Sequence, residues 1–390
     1  MITLIKNGEV YAPHYLGTKD LLLVDSKIGY IRELIEQPDN FVPITVIDAT
    51  DKIVVPGFID AHVHIIGGGG EGGFKTRTPE LMLTDVTTAG ITTVVGLLGT
   101  DGTTRRMESL LAKANGLEEE GVTCYIHSGS YQLPVRTITN KIEEDLIFID
   151  KIIGVGEIAI ADHRSSEPTV DEIAKIATAA RNGGLLSGKA GLVEIHVGDG
   201  KDMLSLLEEV VEKTNIPISH FHPTHINRNE ELFEAGIQYA KNGGYVDLTT
   251  SSVPQFFEEG EVKCSKGLKQ MLDAGVPLEN ITFSSDGQGS LPSFNKRGEL
   301  VGLQVAEVSS LFKEVRDAVI QEGISLETAL QVITLNPANV LKLSNKGRIE
   351  EGTDADIVLL DKETLEINTV IAKGKVMVEN KVPVVKGTFE

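Results

Sequence analysis

A pair of histidines gives the first indication of chemistry in this sequence. His62 and His64 stand two residues apart, after the apolar run 54–59 and before the glycine loop 67–70. Residues two apart on a β-strand point to the same face, so both imidazoles can reach one metal ion. Taken alone, the pair is equally compatible with two hydrogen-bonded polar side chains.

Three further polar residues follow apolar runs later in the chain: His196, His225 and Asp286. Each one alone is typical of a structural residue, and an Asp before a Gly usually belongs to a turn. Together with the pair they form an ordered set, with two histidines on a first strand, one on a fifth, one on a sixth and an Asp on an eighth. Imidazoles and a carboxylate are ligands that suit zinc or a similar transition metal.

The elements that would position these residues alternate between strands and helices. Eight β-branched apolar runs predict strands, and stretches with helical spacing separate most of them. The predicted strands are 53–59, 92–98, 122–127, 152–160, 192–197, 216–225, 245–250 and 281–284, and the clearest helices are 203–213, 230–241 and 265–274. This alternation predicts a TIM (β/α)8 barrel, an α/β fold with its chemistry at the carboxyl ends of the strands.

An open doubly wound sheet is the alternative fold. It usually carries a glycine-rich dinucleotide motif after its first strand, and the glycine loop 67–70 lacks that spacing.

Both ends of the chain are rich in short strands rather than helices. Residues 20–24 and 27–31 flank a polar pair and predict a hairpin, and 356–360, 369–372 and 375–378 are similar short runs. Since chain termini commonly lie close together, we expect residues 1–54 and 346–390 to form one small β-sandwich domain, with the barrel at 55–345.

Composition limits the possible partners. The chain has 390 residues, a net charge of −21 and two cysteines. Such acidity disfavours binding to nucleic acid and to anionic membranes, and two distant cysteines favour reduced core residues over a disulfide. The sequence shows no signal peptide and no apolar run of the roughly 20 residues that a membrane span needs. We therefore expect a cytoplasmic protein.

The ordered set of ligands resembles that of the amidohydrolase superfamily, and the segment 347–358 is similar to the entry of its C-terminal β domain. Within the superfamily, the chain resembles the isoaspartyl dipeptidase family over nearly its whole length. The most specific segments of this resemblance are 62–71, 95–101, 162–165, 223–229 and 284–290.

The resemblance implies a cofactor of two zinc ions per subunit, which hold a hydroxide between them. His62 and His64 would bind one ion together with Asp286, and His196 and His225 would bind the other. Asp286 would also act as general base and then as general acid for the leaving amine.

The resemblance also implies the residues that bind the substrate, an isoaspartyl dipeptide. Tyr131 would stabilise the developing oxyanion, although without the resemblance a packed aromatic ring is the better interpretation. Glu71 would contact the α-amino group, and Arg164 and Arg228 the two carboxylates, because a guanidinium binds a carboxylate through two hydrogen bonds.

Two further residues, Thr100 and Ser290, could add hydrogen bonds to the substrate. An exposed surface charge is the alternative interpretation of each arginine in the set. Both arginines, however, stand within a few residues of a predicted strand end in an acidic protein.

The sequence departs from the family at the end of the fourth strand. The family usually bridges its metals with a carboxylated lysine there, and this chain has Glu157. A shorter side chain can reach only if the strand bulges inward, which Gly154 and Gly156 permit. The nearest lysines are Lys151, at the wrong end of the strand, and Lys189, in a loop. Either Glu157 bridges two metals, or it only supports the ligands of a single metal.

Other functions remain open on the sequence alone. A cyclic amidase such as a dihydroorotase or hydantoinase, or an N-acyl amino acid deacylase, would use the same metal ligands. A non-enzymatic scaffold on a decayed barrel is a further alternative, but the retained ligand positions argue against it. We expect a homo-oligomer that acts on a small dipeptide.

Overall fold

The computed structural model describes residues 1–37, 42–294 and 300–390, and within these ranges the chain forms nineteen β-strands and eleven α-helices. The strands are β1 (Ile2–Tyr11), β2 (Tyr15–Val24), β3 (Lys27–Arg32), β4 (Thr45–Asp48), β5 (Lys52–Pro56), β6 (Phe58–Val63), β7 (Ile91–Gly96), β8 (Thr123–Ser128), β9 (Ile152–Ile160), β10 (Leu192–Val197), β11 (Phe221–Thr224), β12 (Val246–Thr249), β13 (Ile281–Ser284), β14 (Ser290–Phe294), β15 (Leu300–Val305), β16 (Ile357–Asp361), β17 (Ile367–Ala372), β18 (Lys375–Glu379) and β19 (Val382–Pro383). The α-helices are α1 (Leu83–Thr88), α2 (Met107–Glu120), α3 (Ile142–Phe148), α4 (Val170–Ser187), α5 (Ser205–Lys213), α6 (Glu230–Lys241), α7 (Pro254–Glu258), α8 (Cys264–Asp273), α9 (Ser310–Ile320), α10 (Leu326–Gln331) and α11 (Leu335–Val340).

Eight parallel strands, β6 to β13, form a central barrel. β6 to β11 are hydrogen-bonded neighbours in chain order, and β12 pairs in parallel with β13. The ring closes because β12 packs against β11 and β13 packs against β6. Ile226 N donates to Asp247 O at 3.2 Å across the first join, and His64 N donates to Gly287 O at 2.9 Å across the second. The predicted TIM-barrel type of fold is confirmed, and the open doubly wound sheet is excluded.

The barrel strands are buried on both faces, because side chains fill the barrel and helices cover its outside. Every residue of β6, β7, β9 and β10 is buried. This burial explains why the strands appear in the sequence as nearly continuous apolar runs without a polar alternation.

The outer helices carry clear start signals. α6 begins after Asn229, whose side chain accepts a hydrogen bond from Leu232 N at 2.8 Å, and acidic residues follow in its first turn. Thr169 and Glu172 cap the start of α4 reciprocally. Such caps satisfy backbone donors that a helix start leaves free, and acidic side chains there favour the helix dipole.

The first predicted barrel strand was wrong in its bounds. The run 53–59 is divided at Gly57 into β5, which pairs with β16, and β6, which starts the barrel. A Cβ atom on Gly57 would lie 2.2 Å from Thr92 Oγ1, so only glycine lets the chain pass here. Since both halves are buried, hydrophobicity could not reveal the division. The sixth strand is also shorter than predicted, because Ile218–His220 form a 3-10 helix before it.

The two chain ends meet in one nine-stranded sheet. Its order is β19-β18-β17-β16-β5-β1-β2-β3, with β4 paired to β1, and the predicted hairpin is present as β2 and β3. Some of its apolar side chains, such as Leu21 and Ile357, form a core cluster of their own, whereas others, such as Val55 and Val370, join the core of the barrel. That these ends form a sandwich-type domain with the predicted boundaries stays a prediction.

Among the described residues, no helix has both the length and the apolar character that a membrane crossing requires.

Candidate metal centre and substrate cavity

The predicted ligands lie together at the carboxyl ends of the barrel strands. His62 is in β6, and His64 is the first residue after it. His196 is in β10, His225 directly follows β11, and Asp286 stands two residues after β13. The barrel therefore brings together side chains that are up to 224 positions apart in the sequence.

Two compact groups of potential ligands share His62. The first contains His62, His64 and Asp286, and the second contains His62, Glu157 and His225; within each group the ligand atoms lie within 4.8 Å of one another. His64 Nε2 is 3.1 Å from Asp286 Oδ1, and His225 Nε2 is 3.7 Å from a Glu157 oxygen. The division differs from the predicted one, which assigned His62 to a single ion.

His196 stands beside these groups but belongs to neither. Its Nδ1 is 3.1 Å from Glu157 Oε2, and its Nε2 is 2.9 Å from Asp162 Oδ2. The hydroxyl of Tyr131 lies 2.8 Å from the same Nδ1. Both ring nitrogens thus contact polar groups of the protein, and the ring remains next to Glu157.

Glu157 occupies the centre of the cluster through a bulge in β9. The sequence analysis expected Glu157 at the end of this strand, but the residue lies inside it. Val155 pairs with Val193 and Ile158 with Ile195, so β9 has one extra residue between the two pairs. Gly156 has a φ of +147°, and a Cβ atom there would lie 2.5 Å from Glu194 Cβ. The bulge that the glycines indicated is therefore present.

The two oxygens of Glu157 face different histidines. Oε1 is 3.6 Å from His64 Nε2, while Oε2 is 3.4 Å from His62 Nε2 and also faces His225. Burial alone would raise the pKa of this carboxyl, but the adjacent histidines outweigh burial and hold the pKa well below its usual range. Glu157 is therefore a carboxylate with an oxygen toward each group.

The donor set passes a direct test for a metal. Among the buried side-chain polar atoms of the described residues that have no hydrogen-bond partner, four belong to these ligand candidates: His62 Nε2, His64 Nδ1, Glu157 Oε1 and Asp286 Oδ1. Leaving a buried polar atom unpaired costs about 1–3 kcal/mol, so four from neighbouring ligand candidates indicate a missing partner. Imidazole and carboxylate donors fit a zinc-type ion.

A cavity of about 440 Å³ opens above this cluster. All six residues predicted to bind the substrate line it: Glu71, Thr100, Tyr131, Arg164, Arg228 and Ser290. Glu71 accepts a hydrogen bond from Thr100 at 3.0 Å and lies 3.4 Å from Arg164 Nη1. An anion and a cation therefore stand side by side at one part of the cavity.

Asp162 is a functional candidate that the sequence analysis did not single out. Its carboxylate accepts from Arg164 Nε at 2.9 Å and from Arg164 Nη2 at 2.7 Å, and it also contacts His196. The guanidinium lies 5.3 Å from the centre of the Tyr131 ring. Asp162 thus orients a cavity arginine and a candidate ligand together. Its position in the segment 162–165 was the available signal.

A second set of missed residues lies in the barrel interior. Glu194 Oε1 is 3.2 Å from His62 Nδ1, and Glu194 Oε2 is 2.7 Å from His222 Nδ1. His222 Nε2 is 2.8 Å from Thr282 Oγ1, which donates to Asp247 Oδ1 at 2.7 Å. We call these four residues, Glu194, His222, Thr282 and Asp247, the interior network. It joins a metal-ligand candidate to the middle of the barrel.

Comparison with known proteins yields one family model and several relatives. The model described as the amidohydrolase family matches residues 53–388. Curated dihydroorotases of Listeria welshimeri and Halalkalibacterium halodurans are each 26% identical to the chain, over 95% and 93% of it and 92% and 89% of those proteins.

Solved structures show stronger similarity. A beta-aspartyl dipeptidase from Fervidobacterium islandicum AW-1, in complex with beta-Asp-Leu dipeptide, is 46% identical with a TM-score of 0.90, and 98% of each chain is covered. A D-hydantoinase is 20% identical with a TM-score of 0.70, over 100% of this chain and 97% of the other, and this likeness shows the fold alone.

Proposed function

Since the chain belongs to the amidohydrolase family and is a hydrolase, we propose that it cleaves the β-aspartyl bond of isoaspartyl dipeptides. One observation carries the proposal: among the charged residues that line the cavity beside the ligand cluster, Glu71 lies against Arg164, and Arg228 is a further cation. An isoaspartyl dipeptide has one ammonium group and two carboxylates, which these three side chains could pair. The similarity to a beta-aspartyl dipeptidase supports the same substrate.

The pairing of Glu71 with Arg164 matches a feature of the β linkage. In a β-linked aspartate the α-amino group and the free α-carboxylate sit on one carbon, so they need an anion and a cation side by side. Glu71 Oε1 and Arg164 Nη1 are 3.4 Å apart. In an α-linked dipeptide the free carboxylate is one carbon farther from the ammonium, and the pair fits it less well. Arg228 remains for the carboxylate of the leaving residue.

Zinc, with two ions per chain, is the cofactor that the donor set supports. His62, His64 and Asp286 would hold one ion, and Glu157 and His225 would hold the other with the adjacent His196. Bound zinc would supply a Lewis acid that polarises the scissile carbonyl and lowers the pKa of water.

Two side chains of the protein supply the remaining chemistry. Burial would raise the pKa of Asp286, but the close contact with His64 and the charges of the other histidines lower it, so this carboxylate can accept a proton from water. It can then deliver the proton to the leaving amine. Burial and the charge of Glu157 raise the pKa of Tyr131 well above its usual value. Its hydroxyl stays protonated and can donate to the developing oxyanion.

A cyclic amidase is the second candidate, because the curated relatives at 26% identity are dihydroorotases. Dihydroorotate carries one carboxylate and no ammonium group. It would leave Glu71 without a counterpart in a partly closed cavity, and an unmatched charge lowers affinity. The cavity therefore favours the dipeptide.

A hydrolysis screen tests the proposal. We expect the zinc-loaded protein to cleave β-Asp-Leu with a kcat/KM at least about a hundredfold higher than for α-Asp-Leu, since a site built to pair polar groups rejects a misplaced one strongly. Dihydroorotate and N-acetyl amino acids complete the panel, and Asp286→Asn protein purified in parallel controls for contaminating peptidases. Equal turnover of the two linkage isomers, or a preference for dihydroorotate, would show that the substrate is misassigned.

A further inference from the structure

The part of the cavity formed after β11 and β12 contains two carboxylates that the proposed chemistry does not use. Glu259 and Glu261 line the cavity there together with Phe256 and Arg228. Glu259 is exposed to solvent, whereas Glu261 is only partly exposed. A carboxylate beside the arginine that would bind a substrate carboxylate needs its own explanation, because like charges repel.

Backbone hydrogen bonds fix the position of Glu261. Its N–H donates to Phe256 O at 2.9 Å, which joins it to α7. The next residue, Val262, donates to Asn227 O at 2.8 Å and accepts from Asn227 Nδ2 at 3.1 Å. Since Asn227 is adjacent in sequence to Arg228, Glu261 is held beside the segment that carries this arginine.

One oxygen of Glu261 has no protein partner. Oε1 is buried and makes no hydrogen bond with any of the described residues. Glu71, by contrast, has its oxygen in contact with Thr100 and Arg164. Burial raises the pKa of Glu261 to about 7, although Ser252 and Arg228 lie near enough to lower it. A cation placed at Oε1 would favour the ionised form and remove the cost of the unpaired oxygen.

We propose that Phe256 and Glu261 form the subsite for the side chain of the leaving residue, and that Glu261 selects basic side chains, as in β-aspartyl-lysine and β-aspartyl-arginine. The inference rests on the proposed function, because that function directs the leaving carboxylate to Arg228. The side chain of the leaving residue branches from the same carbon as this carboxylate, so it reaches the neighbours of Arg228. Phe256 can pack on its methylene stem, and Glu261 meets its charged end.

A competing explanation is that Glu261 serves only to neutralise the charge of Arg228. In that case the carboxylate only counters the arginine, and its removal changes the turnover of all substrates by a common factor. Long-range attraction by the acidic protein is another source of preference for basic substrates. Such attraction is weakened by salt and does not depend on one particular carboxylate.

Three substrates that share a long side chain separate these explanations. β-Asp-Lys and β-Asp-norleucine differ in the ammonium group, and β-Asp-(Nε-acetyl-lysine) keeps the length without the charge. We expect the kcat/KM of wild-type protein for the lysine substrate to exceed that for norleucine by about tenfold or more, the effect of about 1.4 kcal/mol. In Glu261→Gln this ratio should fall to near one, with most of the norleucine activity retained.

Glu258→Gln is the matched control, because Glu258 is exposed at the end of α7, three residues before Glu261, and does not line the cavity. It should keep the wild-type ratio, also in 0.5 M salt, a concentration at which the screening length is only about 4–5 Å. Glu261→Asp should retain part of the preference if Glu261→Gln protein proves poorly folded.

Several results would overturn the inference. A ratio near one between the lysine and norleucine substrates in wild-type protein does so directly. A change of kcat/KM in Glu261→Gln that is equal for all three substrates also does so, because it would mean that Glu261 only neutralises the charge of Arg228. An equal loss of the ratio in Glu258→Gln would attribute it to the overall charge. If none of the three β-aspartyl substrates is cleaved, the proposed function itself fails, and that result differs from cleavage of all three at one rate.

Discussion

The ligand cluster at the barrel mouth and the interior network beneath it use the same residue types with opposite outcomes. In the cluster, four buried ring and carboxylate atoms lack partners. In the interior network, both Glu194 oxygens, both His222 nitrogens and the Thr282 hydroxyl lie 2.7–3.2 Å from polar atoms. Both regions are buried, so solvent does not explain the difference.

This contrast separates chemistry from support. A buried polar group that bonds to its neighbours offsets the cost of its desolvation, whereas an unpaired one is free to bind a ligand. The unpaired atoms of the cluster could therefore hold a metal ion, and the four residues of the interior network are paired within the protein. His62 belongs to both regions, since its Nε2 faces the cluster and its Nδ1 faces Glu194.

The largest effect is expected from Asp286→Asn. The substitution keeps the size of the side chain but removes a negative ligand and the base that accepts the proton. We expect kcat to fall by about a thousandfold or more, because general acid–base catalysis alone contributes 10²–10⁴-fold. Circular dichroism should show that the fold persists. A variant that keeps more than about a tenth of the wild-type rate would remove Asp286 from the mechanism.

Glu157→Gln should come next, since it removes the central carboxylate of the cluster. We expect two equivalents of zinc per chain in wild type and about one in the variant, with a loss of about a hundredfold in turnover, because a Lewis acid contributes several kcal/mol. Metal analysis after dialysis provides the measurement. A single equivalent in wild type that the substitution does not change would mean that Glu157 supports one ion without bridging two.

The sequence was sufficient to predict which residues of the ligand cluster lie at strand ends. His62, His64, His196, His225 and Asp286 each follow an apolar run, and the barrel fold then predicts that they meet. β9, β10 and β13 were predicted with their observed bounds, since each is a β-branched run between turn residues. The bulge at Glu157 was also predictable, because two glycines in a strand are unusual.

The supporting residues could not be predicted in the same way. Glu194 and Asp162 are single carboxylates near apolar runs, and nothing in their spacing shows which side chain they contact. The orientation of His196 toward Asp162 depends on a ring rotation that no pattern records. Glu261 stands in a loop after α7, and only the folded chain places it beside Arg228.

Glu194→Gln tests how far the interior network supports the cluster. A carboxylate that accepts from the distal ring nitrogen of a metal-binding histidine orients the ring and raises its basicity, and its loss typically weakens metal binding by about 10–100-fold. We expect this weakening in a competition with a chromogenic chelator, with most activity restored by excess zinc. Glu314→Gln is the matched control, because Glu314 is a buried carboxylate that accepts from Ser265 N, away from the cluster. Equal zinc affinity in Glu194→Gln and wild type would mean that the contact with His62 does not tune the site.

Thr282→Val should have the smallest effect on turnover. It tests whether the interior network stabilises the fold without taking part in the reaction. Valine keeps the shape of threonine but removes the hydroxyl between His222 Nε2 and Asp247 Oδ1. Because both partners are buried, we expect the free energy of unfolding to fall by about 1–3 kcal/mol for each atom left unpaired. The substituted side chain is separated from His62 by His222 and Glu194, so kcat of the zinc-loaded protein should stay within about threefold of wild type. Denaturant unfolding and saturation kinetics on the same preparation measure the two quantities. A large loss of kcat with unchanged stability would mean that the interior network acts on the reaction itself, and the division between a functional layer and a supporting layer would then be wrong.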